Sequence, residues 1–488
     1  MVNKKALSLA VVVALSATSV WAADTTTDSK LTKYQQAALV TTQQTVANKI
    51  ATDEVIGDKV SLTLPHTVEL ALNNNRDVRQ AGWAYEAAKA QVSVAAAAKN
   101  PTISYGYSGG RGSSQTQTGG TVIGDSASNT FTLAVPIYTG GKAEAAIDAA
   151  RYSREGYSAA LEAERQTAKL TAATNYFTLI QARNKVDIAE QSVKDYDGHL
   201  TNVNQQYNVG IVAKSDVLAS QTSLANAQTS LVEAKNAADL AEATLNNSIG
   251  LPVNTSVETA DSSLGYTPYN VSLQEAQAYA MLHRAELVQN TMAVKSYEEQ
   301  IKSAKAGYLP TLSATAKQAW SGSDWGGTDN DNWTIRASVS WSLWDGGATS
   351  EGIKVAEANL EKAKEANYQA MDSINLAVRK AYLNMKSAEQ TIQSTKVAVE
   401  QGQENFRIAS LRYRAGVGTN LDVLDAETEL ETARNNYVDA LFNYNIAVAS
   451  LETAMGVPLE TPVGGAEALV NEAKASQTLS TLVAGASK

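Results

Sequence analysis

An internal duplication governs what this chain can fold into. The segment V-P-I-Y-T-G-G-K-A-E that starts at Val135 returns as W-S-L-W-D-G-G-A-T-S from Trp341. The stretch Q-Y-N-V-G-I-V-A-K-S-D-V-L at 206 to 218 returns as R-Y-R-A-G-V-G-T-N-L-D-V-L at 412 to 424, and Ile249-Gly250-Leu251-Pro252 returns as Met455-Gly456-Val457-Pro458. All three matches share one offset; upstream, Leu64 answers Leu273 and Pro101 answers Pro310 at a slightly longer one. A repeat of this size is one structural unit built twice. Each copy reads as helix, hairpin, very long helix and return helix.

The proline map frames the helices. None falls between Pro136 and Pro252 or between Pro310 and Pro458, which leaves two long windows open to uninterrupted helix. From about Ala143 to Asn208 the first window is rich in Ala, Glu, Gln, Lys and Leu, and a single helix there would be roughly 100 Å long. After a turn at 209 to 214, Ser215 is placed to cap a return helix to about Ser248, with a counterpart from about Leu421 to Ala454. Val217, Leu224, Leu231, Ala238 and Leu245 recur every seventh position, as do Val423, Leu430, Tyr437, Tyr444 and Leu451. That spacing keeps an apolar seam against a partner helix, and Ala426, Ala433, Ala440, Ala447 and Ala454 allow close approach. The helix ahead of the first hairpin, from Pro65 to Lys99, is nearly as long as the return helix. Two such helices end to end match the long one.

Between Pro101 and Tyr138, and again between Pro310 and Trp344, the period changes to two. The spacing predicts strands at about 102–108, 129–138, 311–320 and 333–344, joined by polar tips at 109–128 and 321–332. In the last run Trp333, Ile335, Val339, Trp341 and Leu343 share one face with Ala337, while Ser338, Ser340 and Ser342 line the other. Five of the seven tryptophans lie between Trp320 and Trp344, and each run is about the ten residues of a tilted membrane strand. The first set is therefore expected to face lipid. Four strands cannot close a barrel, so bilayer strands require several copies of the chain. At the strand-to-helix bends, Gly140, Gly141, Gly346 and Gly347 supply backbone angles that other residues avoid, with Thr139 and Asp345 as helix caps. The G-G-K at 140 to 142 lacks the spacing of a phosphate loop.

Lys4 and Lys5, the apolar run Ala6 to Val13 and the small-residue site before Ala23 form a secretory signal over 1–22. An N-terminal extension at 23–61 and a tail at 460–488 flank the repeats, drawn at 62–260 and 261–459. The formal net charge of -10 argues against nucleic acid as a partner. The lack of cysteine excludes thiolate metal sites and an acylated N-terminal cysteine. His66, His199 and His283 are scattered through helices as surface or groove residues, with no metal-ligand spacing. No catalytic residue, metal site or cofactor is expected.

These residues resemble the TolC family of outer-membrane efflux and secretion channels, over essentially everything from Leu64 to Pro458. The tip motifs at 207 to 218 and 413 to 426 and the Y-T-G-G and W-D-G-G bends carry the resemblance. It implies a mainly α-helical homotrimer, with a periplasmic α-helical barrel continued by a small twelve-stranded outer-membrane β-barrel, four strands from each subunit. As a passive outer-membrane duct extending into the periplasm, it would serve a periplasmic adaptor and an inner-membrane transporter of the RND, ABC or MFS type. In such families the tip turns hold the duct shut, which puts Tyr207, Lys214, Asp216 and Tyr413 at the gate, together with Asp422 and Asp425. The last two are three apart on a helix, so a threefold axis would stack them as acidic rings. Dipole capping is the plainer account of Asp216. Gly418 and Asn420 depart from the family pattern by leaving the second turn with no basic residue beyond Arg412 and Arg414. The alternative function is a non-conducting coiled-coil tether of the cell envelope; a soluble periplasmic adaptor is disfavoured by the tryptophan-bounded strands.

Overall fold

A computed structural model describes residues 60–115 and 120–475. The signal segment, nearly all of the N-terminal extension and the last part of the tail lie outside these residues. The elements run β1 (Val60–Leu62), α1 (Leu64–Asn74), α2 (Arg76–Ala97), β2 (Thr102–Gln115), β3 (Thr121–Tyr138), α3 (Lys142–Asn208) and α4 (Lys214–Ile249) in the first repeat. The second follows with β4 (Val257–Thr259), α5 (Leu273–His283), α6 (Ala285–Lys305), β5 (Thr311–Gly322), β6 (Asn330–Ser340), α7 (Ala348–Arg414) and α8 (Asn420–Met455), and α9 (Ala466–Ala475) closes the described chain. Both long helices have 67 residues and both return helices 36, so the duplication holds to the residue.

The helix ahead of each hairpin is two helices, not one. Asn75 breaks the first by leaving helical backbone and turning its carboxamide oxygen onto the amides of Asp77 (2.7 Å) and Val78 (3.2 Å). Arg284 takes the same position in the second copy. The break lets the return helix of the same repeat abut the junction. Asn74 Nδ2 donates to the Ile249 carbonyl at 3.2 Å, and a Cβ on Gly250 would meet Asn74 Cβ at 2.6 Å. At Gly456 it would meet the His283 carbonyl oxygen at 2.9 Å. Both glycines cap their helices with positive φ, so glycine is required for the turn and for the fit.

Each repeat thus supplies one long helix and one column of short helices. The α2/α4 column packs on α3, α3 packs on α6 and α8, and the α6/α8 column packs on α7. The order has two open flanks. Trp83 and Val94 on α2 and Leu218, Val232 and Leu240 on α4 are exposed at one, and Tyr368, Leu376, Leu383 and Val397 of α7 are exposed as well. The heptad seam follows the same asymmetry: Val423, Leu430, Tyr444 and Leu451 of α8 are buried between two neighbours, whereas Leu224, Leu231 and Ala238 of α4 are only half-buried. The main core lies midway along the long helices, where Tyr176, Leu179, Ile180, Val378 and Met385 meet Leu245, Ile249, Leu451 and Met455. The parallel β1–β4 pair seals it, and Ala466 and Val470 of α9 are buried in it.

The hairpins form one antiparallel sheet in the order β2-β3-β5-β6. The first hairpin runs past the expected strand ends. Its register continues from Ser108 opposite Ser128 to Gln115 opposite Thr121, through residues read from the sequence as tip loop. Glycine, serine and threonine pair there without a buried face, which a period-two reading does not detect. The last strand is shorter than expected and stops at Ser340, because β5 begins at Thr311 opposite it and offers nothing to Trp341 or beyond. Trp341 and Leu343 therefore lie past the ladder, and Trp341 Nε1 donates to the Tyr308 carbonyl at 3.1 Å.

Candidate functional site

At the end remote from the sheet, the two helical turns bring α3, α4, α7 and α8 together. Each long helix stops at a glycine of positive φ, Gly210 and Gly416, and the following amide returns to the helix end: Ile211 to Gln206 O and Val417 to Arg412 O, both at 2.9 Å. A small apolar core of Val203, Val217, Ala409, Val423 and Ala426 lies beneath. Val209, Ile211, Val417 and Leu421 are exposed at the apex.

The candidate gate residues divide. Lys214 sits over the Tyr207 ring, 5.3 Å from its centroid, and both are exposed. Tyr413 is instead buried in its own subunit, 4 % exposed, with its ring against His199 at 4.9 Å. Its hydroxyl has no partner, and burial together with the charge of Asp216 raises its pKa. Asp422 takes the capping role: its carboxylate accepts from the Thr419 amide at 3.0 Å while Thr419 Oγ1 accepts from the Asp422 amide at 3.1 Å. That backbone hydrogen bond holds the Asp422 carboxyl below its usual range. Asp422 and Asp425 are both exposed. In the first copy α4 starts at Lys214 after Ala213, so Ser215 does not cap it, and Asp216 lies in the first turn.

The centre of the tip is a set of residues that sequence reading passed over. Asn420 Oδ1 accepts from His199 Nε2 at 2.6 Å and from Ser220 Oγ at 3.0 Å, and its Nδ2 donates to the Asp216 carbonyl at 3.3 Å. One carboxamide thereby ties α3 to both return helices. His199 is buried, not a surface or groove residue; burial lowers its pKa and favours the neutral ring, and the Asn420 oxygen facing Nε2 selects the Nε2–H tautomer. The clue was spacing: Tyr196, His199 and Val203 fall on one helical face. Asn420 is the residue noted as a departure from the family turn. A neutral amide suits this place, since it offers an acceptor to His199 and Ser220 and a donor to the Asp216 carbonyl at once.

At the other end, Gly140, Gly141, Gly346 and Gly347 all take positive φ. Thr139 Oγ1 accepts from the Ala143 amide at 3.2 Å, and the Asp345 carboxylate accepts from the amides of Gly347 (3.1 Å) and Thr349 (2.8 Å). Trp333, Ile335 and Val339 are exposed on one face of edge strand β6, with Trp341 and Leu343 exposed beyond its end. Edge strands β2 and β6 leave one side of their backbones unpaired within the protomer. Among the described residues no cluster of His, Cys, Asp or Glu is placed to hold a metal ion, and no helix is long and apolar enough to cross a membrane.

The outer membrane efflux protein family matches residues 67–251 and 276–457 of the chain. Outer membrane protein TolC of Escherichia coli (strain K12) is 27% identical over 312 residues, which span 60% of this chain and 62% of TolC. Alkaline protease secretion protein AprF of Pseudomonas aeruginosa is 26% identical over 428 residues, 82% of this chain and 85% of AprF. In fold, the outer membrane protein VceC of Vibrio cholerae superposes with a TM-score of 0.68 at 20% identity, covering 80% of this chain and 96% of VceC.

Proposed function

Because this chain belongs to the outer membrane efflux protein family, we propose that it is a homotrimeric exit duct. It is an outer-membrane protein of a non-enzymatic class. The proposal gives it a periplasmic helical tunnel, shut at the tip and continued through the bilayer by a β-barrel. The observation that carries this reading is that the protomer is open at two flanks in both layers. In the helical layer the open flanks are the α2/α4 column and α7; in the sheet they are β2 and β6. Exposed apolar stripes on the helices and unpaired backbone on the strands both need covering. Head-to-tail packing around a rotation axis covers them together and leaves no edge in lipid. Three protomers of four strands give a twelve-stranded barrel, an even number.

Trp333, Ile335 and Val339 then face lipid, and the serines of β6 face the bore. The apolar apex residues Val209, Ile211, Val417 and Leu421 meet a periplasmic adaptor, which links the duct to an inner-membrane transporter of the RND, ABC or MFS type. Asp422 and Asp425 form the acidic rings that favour cations. Opening proceeds by loosening the Asn420 hub, so that the two hairpins swing apart and the tip widens. The duct consumes no energy itself.

Planar-bilayer recording of the purified protein, with its mass taken by light scattering, tests this. A trimer with small cation-selective openings is expected. A trimer that never conducts, even with Asn420 replaced, would refute the duct and favour the envelope tether.

A further inference from the structure

About two helical turns above Asn420, the seam between α3 and α8 encloses a carboxylate that the duct reading does not use. Glu427 is 1 % exposed, and neither of its oxygens has a hydrogen-bond partner. Asp195 and Tyr196 face it from α3, and Glu431 and Arg434 from its own helix. The nearby hydroxyls bond to other acceptors, and the nearby guanidinium acts on it as a charge without a hydrogen bond. Ser192 Oγ donates to Glu431 at 2.9 Å and the Tyr196 hydroxyl is bonded to Thr428 at 3.0 Å, while Arg434, whose buried Nη1 makes no hydrogen bond, stands 4.0 Å from Asp195. On α7, Glu404 and Arg407 pair with each other at 2.6 Å in solvent, and on α4 Lys235 is held by Glu190 at 3.0 Å. Enclosure of a carboxylate without a hydrogen bond from a donor favours the neutral acid. Burial, with the charge of Asp195 added, pushes its carboxyl up to about 8 against the opposing pull of Arg434 and Ser192. The duplication sharpens the point, because the matching position in α4 is Gln221, neutral and exposed. The acid occurs only in the copy whose return helix is enclosed on two sides.

We propose that Glu427 is a proton-binding site built into the α3–α8 seam, protonated while the seam is closed and ionised when the seam opens. The neutral side chain fits between the helices, whereas the carboxylate requires water and repels Asp195 and Glu431. The sign follows from the proton count: the open seam binds fewer protons, so rising pH favours opening. Between the ordinary carboxylate range and about 8, each pH unit shifts the closed-to-open ratio up to about tenfold per protomer. Above that value the dependence levels off. The link from this seam to the tip opening rests on the duct reading, but the proton site does not.

Amide hydrogen exchange of the full-length protein, corrected for intrinsic exchange, tests the site across about pH 6 to 9. In the wild type, seam peptides around Ser192 and Glu427 should open with the excess pH slope, while the mid-helix core around Tyr176 and Leu451 does not. Glu427→Gln should flatten the slope, and Glu427→Leu should do the same if the glutamine variant folds poorly. Infrared spectra at neutral pH should show a protonated-carboxyl C=O band in the wild type that both variants lack. Variants that keep the wild-type slope, or a wild type without the slope or the band, would overturn the proposal. A protein with slope and band that does not conduct would overturn only the duct.

Discussion

Replacing Asn420 by alanine should loosen the tip far more than removing the neighbouring helix cap. Among the described residues the carboxamide is the one hydrogen-bond partner of both His199 Nε2 and Ser220 Oγ, at 2.6 and 3.0 Å, and both residues are buried. Each group left unsatisfied costs about 1–3 kcal/mol, so the variant should lose roughly 2–6 kcal/mol. Alanine at the first position of α8 carries no helix penalty to confuse the result. Thr419→Ala, which removes only the cap hydroxyl, should cost about 1 kcal/mol. Hydrogen exchange of peptides covering 196–220 and 409–427 measures the difference locally. A loss of about 3 kcal/mol appears there as roughly a 100-fold drop in protection. The core at Leu179, Val378 and Leu451 should be unchanged, because separate packing holds it. If Asn420→Ala opens the tip no more than Thr419→Ala, or if core and tip lose protection equally, the hub does not hold the four helices.

Replacing Asp422 and Asp425 together by asparagine should reduce cation preference, read as the reversal potential in asymmetric salt; an unchanged potential excludes the acidic rings. His199 is neutral in the folded tip with its pKa held below 6.5, so the unfolded chain takes up the proton first. The His199 contribution to tip stability should therefore be full above about pH 6.5 and be lost as pH drops through the lowered folded value, and His199→Phe should remove that acid limb in a denaturant titration of tip exchange. Glu452→Ala should release the C-terminal segment. Its buried carboxylate accepts from the amides of Gly464 and Ala466 at 3.0 Å, and α9 should become accessible to protease while global unfolding shifts little.

Much of this architecture is legible in the sequence because it depends on local chemistry written twice. Proline-free windows predict α3 and α7, glycine pairs predict the bends, and a seven-residue spacing predicts the return helices. What escapes reading depends on partners far apart in the chain. His199 and Asn420 meet across 221 residues, and nothing local in either distinguishes a buried hub from a solvated turn. Glu427 reads as an ordinary helix-surface acid until α3 is laid over it. Asn75 interrupts a helix with neither glycine nor proline, through a side-chain cap whose effect depends on the return helix arriving beside it. The outer ends of the first hairpin escape reading because paired glycine and serine leave no alternation to detect, and the end of β6 because it depends on where β5 begins.

The join between β3 and β5 sets an order on biogenesis. Asn129 of β3 donates to the Gly326 carbonyl at 2.9 Å, and these two residues are 197 positions apart. Each hairpin can zip by itself, but uniting them requires closing a loop that contains all of α3, α4, α5 and α6. The entropy of that closure is tolerable only once these helices have docked and brought its ends together. The part destined for lipid is therefore the last to assemble, after the part that stays in water has folded.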